Sequence, residues 1–170
     1  QSIFAAYRSS FPSVFQWIKF VHKYIKENKC AISLFGRRRN LTNVDSPISR
    51  YQHRALRQGM NFVIQSSASD MMLHALKRLE GKLEHSDLDA QILATVHDSV
   101  ELQCGRDDVK EVVEMLKKEL TTTSDLENYY NLKFVVPFEV DVEVGNSFGD
   151  GMEAKFNSDG TVSNMDSILK

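Results

Sequence analysis

The stretch Gln91-Ile92-Leu93-Ala94-Thr95-Val96-His97-Asp98-Ser99-Val100-Glu101-Leu102-Gln103-Cys104 holds two β-prone runs, 91–96 and 100–104, parted by His97-Asp98-Ser99. Two short apolar runs around a polar triplet read as a β-hairpin with His97 and Asp98 at its tip. Downstream, Val109, Val112, Val113, Leu116 and Leu120 recur at helical spacing, predicting an amphipathic helix over 107–120 that Asp108 and Glu111 can cap. After a polar loop, Phe138 to Val144 alternates, with Val140, Val142 and Val144 on one face and Glu139, Asp141 and Glu143 on the other. From Asp150 onward the chain is rich in Gly, Asn, Ser and Asp, which predicts a poorly packed polar tail over 150–170.

Upstream of the hairpin the periodicity is helical. Val14, Trp17, Ile18, Val21 and Ile25 predict a helix over 13–28, with Ser13 and Gln16 as a capping box and Asn28 as its stop. Cys30 to Phe35 reads as a strand closed by Gly36, followed by Arg37-Arg38-Arg39 and a polar loop to Pro47. Two helices are expected next, over 47–59 and 65–81, separated by a break after Gly59. Helices, hairpin, helix and strand in this order argue for an α+β fold, with helices packed on a small antiparallel sheet.

Composition narrows the class further. At 42% hydrophobic, 26% charged, 8 Gly and 3 Pro, the 170 residues are those of a globular protein. No apolar run approaches the ~20 residues of a membrane helix. No basic-then-apolar leader opens the sequence, and the two cysteines, Cys30 and Cys104, form neither a disulfide framework nor a zinc pattern. A reducing, cytoplasmic compartment is therefore expected. The net charge of −2 conceals a division: residues 1–57 hold 11 Lys and Arg against 2 acids, and residues 58–170 hold 10 against 21. The basic half points to a polyanionic partner.

Three constellations could carry chemistry. A tight turn projects the Asp98 carboxylate away from an ordered sheet, where a divalent cation could reach it; equally, Asp98 could satisfy its own turn backbone. On a continuous helix Arg57, Asn61 and Gln65, four apart and preceded by Arg50 and Arg54, would share one face as long donors with scarcely an acid to pair them. Such a row suits a polyanion or base edges, or else is a solvated face. Arg37-Arg38-Arg39 after a glycine turn suits phosphate contact, and equally a solvated turn. His22, His53, His74 and His85 are scattered and read as structural or surface residues. A metal-dependent phosphohydrolase would need a second His and further Asp ligands on helices, where this His-Asp pair lies between strands.

Taken together and in order, Gly36-Arg37-Arg38-Arg39, Arg57-x-x-x-Asn61-x-x-x-Gln65-Ser66-Ser67-Ala68-Ser69-Asp70, Val96-His97-Asp98-Ser99 and Val142-Glu143-Val144-Gly145 closely resemble the C-terminal part of family A, DNA polymerase I-type, DNA polymerases, in their bacteriophage-like branch. The resemblance covers residues 1–149 and implies part of the palm with the last fingers helices. It implies template-directed nucleotidyl transfer on primer-template DNA with deoxynucleoside triphosphates. Asp98 then corresponds to a carboxylate for two catalytic Mg²⁺ ions, His97 to the residue beside it near the primer terminus, and Arg57, Asn61 and Gln65 to minor-groove contacts, with Arg37, Arg38 and Arg54 as further DNA-binding residues. Ser66 and Ser69 depart from the family's Gly and Ala, Ser99 from an accessory Glu, Phe148 from a common Trp, Val63 from a Pro and Leu56 from a Glu. No segment resembles the family's other metal-binding Asp or its nucleotide-gripping fingers helix. The remaining polymerase domains are therefore expected upstream or on a partner chain, and the segment alone is expected to be inactive. A non-enzymatic nucleic-acid-binding module is the alternative.

Overall fold

The structure is a computed structural model and describes residues 3–169, Phe4 by its backbone alone. It is α+β, as the pattern predicts, and divides into two compact units, Gln1–Asp70 and Met71–Lys170. No helix among the described residues is long and apolar enough to cross a membrane.

In the first unit, α1 (Ile3–Ser10) precedes α2 (Pro12–Asn28). The expected Ser13–Gln16 capping box is not formed. Helix α2 starts one residue earlier, on Pro12, with Phe11 at the cap position and no side-chain cap. Proline brings a helical φ and has no N–H to satisfy, so the start needs no box. The helix ends at Asn28 as expected: Lys29 turns left-handed (φ 57°) and donates its N–H to the Ile25 carbonyl at 2.8 Å. Strand β1 is shorter than predicted, Cys30–Ile32, and pairs antiparallel with β2 (Arg38–Asn40) in the register Cys30↔Asn40, Ala31↔Arg39, Ile32↔Arg38. Residues 33–36 are spent on the reversal, where Gly36 takes φ 87°, so Arg38 and Arg39 lie on a strand and not in the expected loop.

After a 3-10 turn at Thr42–Asp45, α3 runs unbroken from Ser49 to Glu84. The predicted break after Gly59 is therefore absent. A Cβ at Gly59 would lie 2.5 Å from Ile25 Cδ1 and 2.6 Å from Leu41 Cδ1. Ile25 is fully buried and Leu41 nearly so, so the glycine supplies clearance for packing. Val21, Ile25, Ala31, Leu41, Val44, Ala55 and Leu56 make this unit's core.

The second unit takes Leu79 and Leu83 from the end of α3. Strands β3 (Ala90–Val96) and β4 (Ser99–Cys104) form the predicted hairpin, with a register shift between Ile92 and Ala94 that leaves Leu93 outward. Helix α4 (Val109–Thr121) buries Val109, Val112, Val113 and Leu116. Asp108 sits at its cap position but does not cap it; its Oδ2 accepts the Asp89 N–H at 2.9 Å, fastening the end of the hairpin instead. The expected polar loop contains α5 (Ser124–Tyr130).

Strand β5 is only Glu143–Gly145, paired with β6 (Gly151–Glu153), yet the predicted alternation holds through 139–144: Val142 is buried, Val140 and Val144 half-buried, and the three acids exposed. The tail is not loosely packed. Ala154, Val162 and Met165, the last opening α6 (Met165–Ile168), are buried with Val113, Leu116 and Val142. A Phe156↔Val162 bridge folds it back on itself, and a bond from the Val162 N–H to Glu114 Oε1 (3.0 Å) pins it to α4. Its polar residues occupy the turns, leaving the apolar ones for the core.

One polar network also escapes the sequence patterns. Arg78 on α3 donates to Glu119 Oε2 (3.2 Å) and to the carbonyls of Glu119 (2.5 Å) and Thr122 (2.7 Å) at the end of α4, and to Asp125 Oδ2 (2.8 Å) on α5. Lys82 reaches Glu119 Oε1 at 2.6 Å. Burial would raise the Glu119 carboxyl's pKa, but the bonds and charges of Lys82 and Arg78 prevail and hold it below the usual range.

Candidate nucleic-acid interface and metal carboxylate

The β3–β4 ladder ends in the pair Val96↔Ser99, so His97 and Asp98 form a two-residue turn. His97 takes φ 57°, a region in which His, Asn and Asp are enriched among non-glycine residues. Ser99 Oγ donates to the Val96 carbonyl (3.0 Å) and so closes the turn. That serves the backbone role otherwise open to Asp98, whose carboxylate is exposed and has no hydrogen bond or ion pair among the described residues. An exposed oxygen pair on a tight turn, with no partner among the described residues, suits a hard cation. No group of three or more His, Cys, Asp or Glu side chains able to hold a metal occurs among the described residues. Asp98 therefore fits as one ligand of a shared site, since Mg²⁺ is commonly held by one or two carboxylates with water and phosphate oxygens.

On α3, Arg54, Arg57, Asn61 and Gln65 are all exposed, while Ala55, Leu56, Gly59 and Ser66 on the other side are buried. The unbroken helix makes the shared face real: with no interruption at Gly59, the spacing of four carries through from Arg57 to Gln65. None of these four side chains has a hydrogen-bond or ion-pair partner among the described residues.

The arginine turn is bound to the same helix. Leu34 donates its N–H to Ser67 Oγ (2.8 Å), which donates to the Val63 carbonyl (2.6 Å). Asp70 Oδ1 accepts from Arg37 Nε (3.0 Å) and Nη2 (2.5 Å), and Asp70 Oδ2 accepts from Ser33 Oγ (3.3 Å). Asp70 raises the pKa of the Arg37 guanidinium through its hydrogen bonds and charge and leaves its Nη1 without a partner among the described residues. Arg38 is exposed, its guanidinium without a partner among the described residues, whereas Arg39 lies over the Phe62 ring. The roles of Ser67 and Asp70 are invisible in the spacing, because they depend on a contact over thirty positions away in sequence.

Residues 1–70 contain eleven Lys and Arg and only three acids, Glu27, Asp45 and Asp70. Each acid is already engaged: Glu27 with Lys23 (3.9 Å), Asp45 with Lys29, and Asp70 with Arg37. The other eight cations have no acid partner among the described residues. Three of the four scattered histidines have local contacts: His53 lies near Ser49 (3.5 Å), His74 near Asp125 (3.2 Å) and His85 near the Gly81 carbonyl (2.7 Å).

Comparison with known proteins decides the family. The profile described as DNA polymerase family A matches residues 1–150. The chain belongs to DNA polymerase family A. It is 34% identical over 148 residues to the DNA polymerase of Bacillus phage SP01, covering 87% of this chain and 16% of that protein. It is 30% identical over 148 residues to the thermostable DNA polymerase I of Thermus aquaticus, covering 87% of this chain and 17% of the relative. The chain thus spans about one sixth of the length of these family A relatives. The polymerase fold is seen also in the likeness, at a TM-score of 0.65 and 23% identity, to the POL domain of Pol1 from M. smegmatis in complex with DNA primer-template and dNTP; it covers 68% of this chain and 20% of that one. Residues 151–169, including β6 and α6, lie beyond the family match.

Proposed function

We propose that this chain is the C-terminal fingers and palm segment, residues 1–149 with a polar extension at 150–170, of a DNA-directed DNA polymerase that transfers nucleotides by two-metal catalysis. The observation that carries this reading is the His97-Asp98 turn, whose carboxylate stands exposed and unengaged while Ser99 closes the turn in its place. Asp98 is the residue of this chain that would hold Mg²⁺, and His97 lies beside it at the primer terminus. When bound, the two ions make the primer 3′-hydroxyl a better nucleophile and neutralise charge on the leaving pyrophosphate. Arg57, Asn61 and Gln65 present donors to the minor groove, where every base pair offers acceptors, so pair geometry is tested without reading sequence. Arg54, Arg38 and the open Nη1 of Arg37 meet backbone phosphates.

One carboxylate does not complete a two-ion site. The other ligands, and the groups that grip the incoming nucleotide, belong to the remaining polymerase domains in this reading. The 170-residue chain alone should therefore bind primer-template DNA and extend no primer with Mg²⁺ or Mn²⁺. A primer-extension assay on the purified chain tests this. Template-directed extension by it would overturn the division of labour, and failure to bind DNA at all would overturn the assignment.

A further inference from the structure

The α3 face and the arginine turn leave part of the first unit's charge unused. On α2, Lys19, His22, Lys23 and Lys26 recur at spacings of three and four and form one stripe, opposite the buried Val21 and Ile25. They line a shallow cavity of about 430 Å³ together with Glu27. Lys19 and Lys26 have no acid partner among the described residues. Lys23 has only the 3.9 Å contact to Glu27, between side chains 75% and 60% exposed, a pair that contributes little and that a phosphate can replace.

Two further observations point to the kind of partner. Phe20, beside Lys19 and Lys23, is 67% exposed, an apolar ring left in water among cations. The buried Nε2 of His22 has no hydrogen-bond partner among the described residues. A solvated helix face needs neither feature. Cations that follow a backbone, alternating with an aromatic ring on which a base can stack, make up the surface that binds single-stranded nucleic acid.

We propose that the Lys19, Phe20, Lys23 and Lys26 face of α2 binds single-stranded DNA, as a track separate from the α3 stripe. This inference rests on the polymerase reading above for its choice of DNA. From Lys19 to Lys26 the helix rises about 10 Å, enough to meet successive phosphates of an extended strand. Duplex DNA buries its base faces in the stack and gives Phe20 nothing to stack on, so the aromatic contact selects the single strand.

The test measures fluorescence anisotropy of labelled oligothymidylate and of a blunt DNA duplex against salt, using the 170-residue chain. Three variants are compared: Lys19→Gln/Lys23→Gln/Lys26→Gln, Phe20→Ala, and Arg54→Gln/Arg57→Gln on α3. All the altered side chains are exposed, so each variant should keep the parent's melting curve. The α2 triple variant should lower the log–log salt slope for oligothymidylate by about two, at roughly 0.7 per lost phosphate contact, and change duplex binding less than about twofold. Phe20→Ala should weaken oligothymidylate binding about tenfold with an unchanged slope. The α3 variant should show the opposite preference, losing duplex affinity. An unchanged slope in the triple variant, a silent Phe20→Ala, or equal competition by polyglutamate and oligothymidylate would each overturn the single-strand track. Loss of duplex binding in the α3 variant alongside any of these would leave the polymerase reading standing, whereas a parent chain that binds neither DNA would remove both.

Discussion

The Arg37 guanidinium and the Asp70 carboxylate, far apart in sequence, converge on a single oxygen, with Nε 3.0 Å and Nη2 2.5 Å from Oδ1. The Asp70 side chain is only 13% exposed, and the contact sets the turn at residues 33–37 against α3. Asp70 also holds Ser33, whose Oγ accepts the Arg37 N–H at 3.0 Å. One carboxylate thus fixes both the side chain and the backbone of the turn. Asp70→Asn keeps the size but removes the charge and one acceptor. Hydrogen exchange at the Leu34 and Arg37 amides should quicken markedly in this variant while amides in the core of α2 stay protected. Unchanged exchange at both positions would show that Ser67 alone holds the turn.

The Arg78 network makes a prediction about acid. Glu119 is 4% exposed at its side chain. Asp125 is likewise held below the ordinary carboxylate range: burial opposes the shift, but the hydrogen bond and charge of Arg78, with the backbone N–H groups of Leu126 and Asp125, outweigh it. Both carboxyls titrate lower folded than unfolded. Their contribution is therefore complete above the ordinary values of 4.5 and 3.8 and is lost as pH falls through the lower folded values. Denaturant titrations across this window should show stability rising with pH and levelling off above pH 4.5. Arg78→Ala leaves Glu119 facing Lys82 alone and should cost about 3–5 kcal/mol. A flat pH profile in the parent, or a variant within error of it, would contradict the network's role.

The extension beyond the family match should prove structural. Met165→Ala removes a buried side chain from contact with the second unit's core and should cost about 2–5 kcal/mol. A chain ended after Asp150 exposes the Val113, Leu116 and Val142 surface and should lose its cooperative thermal transition. If calorimetry finds the shortened chain melting like the parent, the tail's burial is incidental.

Legibility followed the range of the interactions. The β3–β4 hairpin and the Val140, Val142 and Val144 face were readable because alternation is local, and the α4 stripe because its partners recur every three or four residues. Gly59 misled, since a glycine that ends a helix and one that admits Ile25 and Leu41 look the same in sequence. Asp108 misled likewise: its neighbours call for a cap, but Asp89 takes its oxygen. The tail's composition is dominated by turn residues, and a few buried apolar side chains decide its packing. At the proposed site, Asp98 and the α3 donors stand out as motifs in the sequence. The engagement of all three acids of residues 1–70, which leaves the basic face uncompensated, required the fold.

The sharpest comparison is between Asp98 and Gln65 in a complete polymerase carrying this chain. Asp98→Asn keeps the shape of the exposed turn and removes the charge that offsets a divalent cation, for which a carboxylate is strongly preferred over an amide. Incorporation should be abolished, with primer-template affinity nearly unchanged because the carboxylate makes no contact that the fold depends on. Gln65→Ala leaves the metal ligand intact and removes one exposed donor from the α3 face. A hydrogen bond of this kind is worth about 1–3 kcal/mol, so single-turnover incorporation should slow by tens-fold, and discrimination between matched and mismatched primer ends should change. Near-normal rates in Asp98→Asn would remove the metal assignment. A Gln65→Ala enzyme indistinguishable from the parent on every primer would instead place the α3 stripe away from the primer terminus.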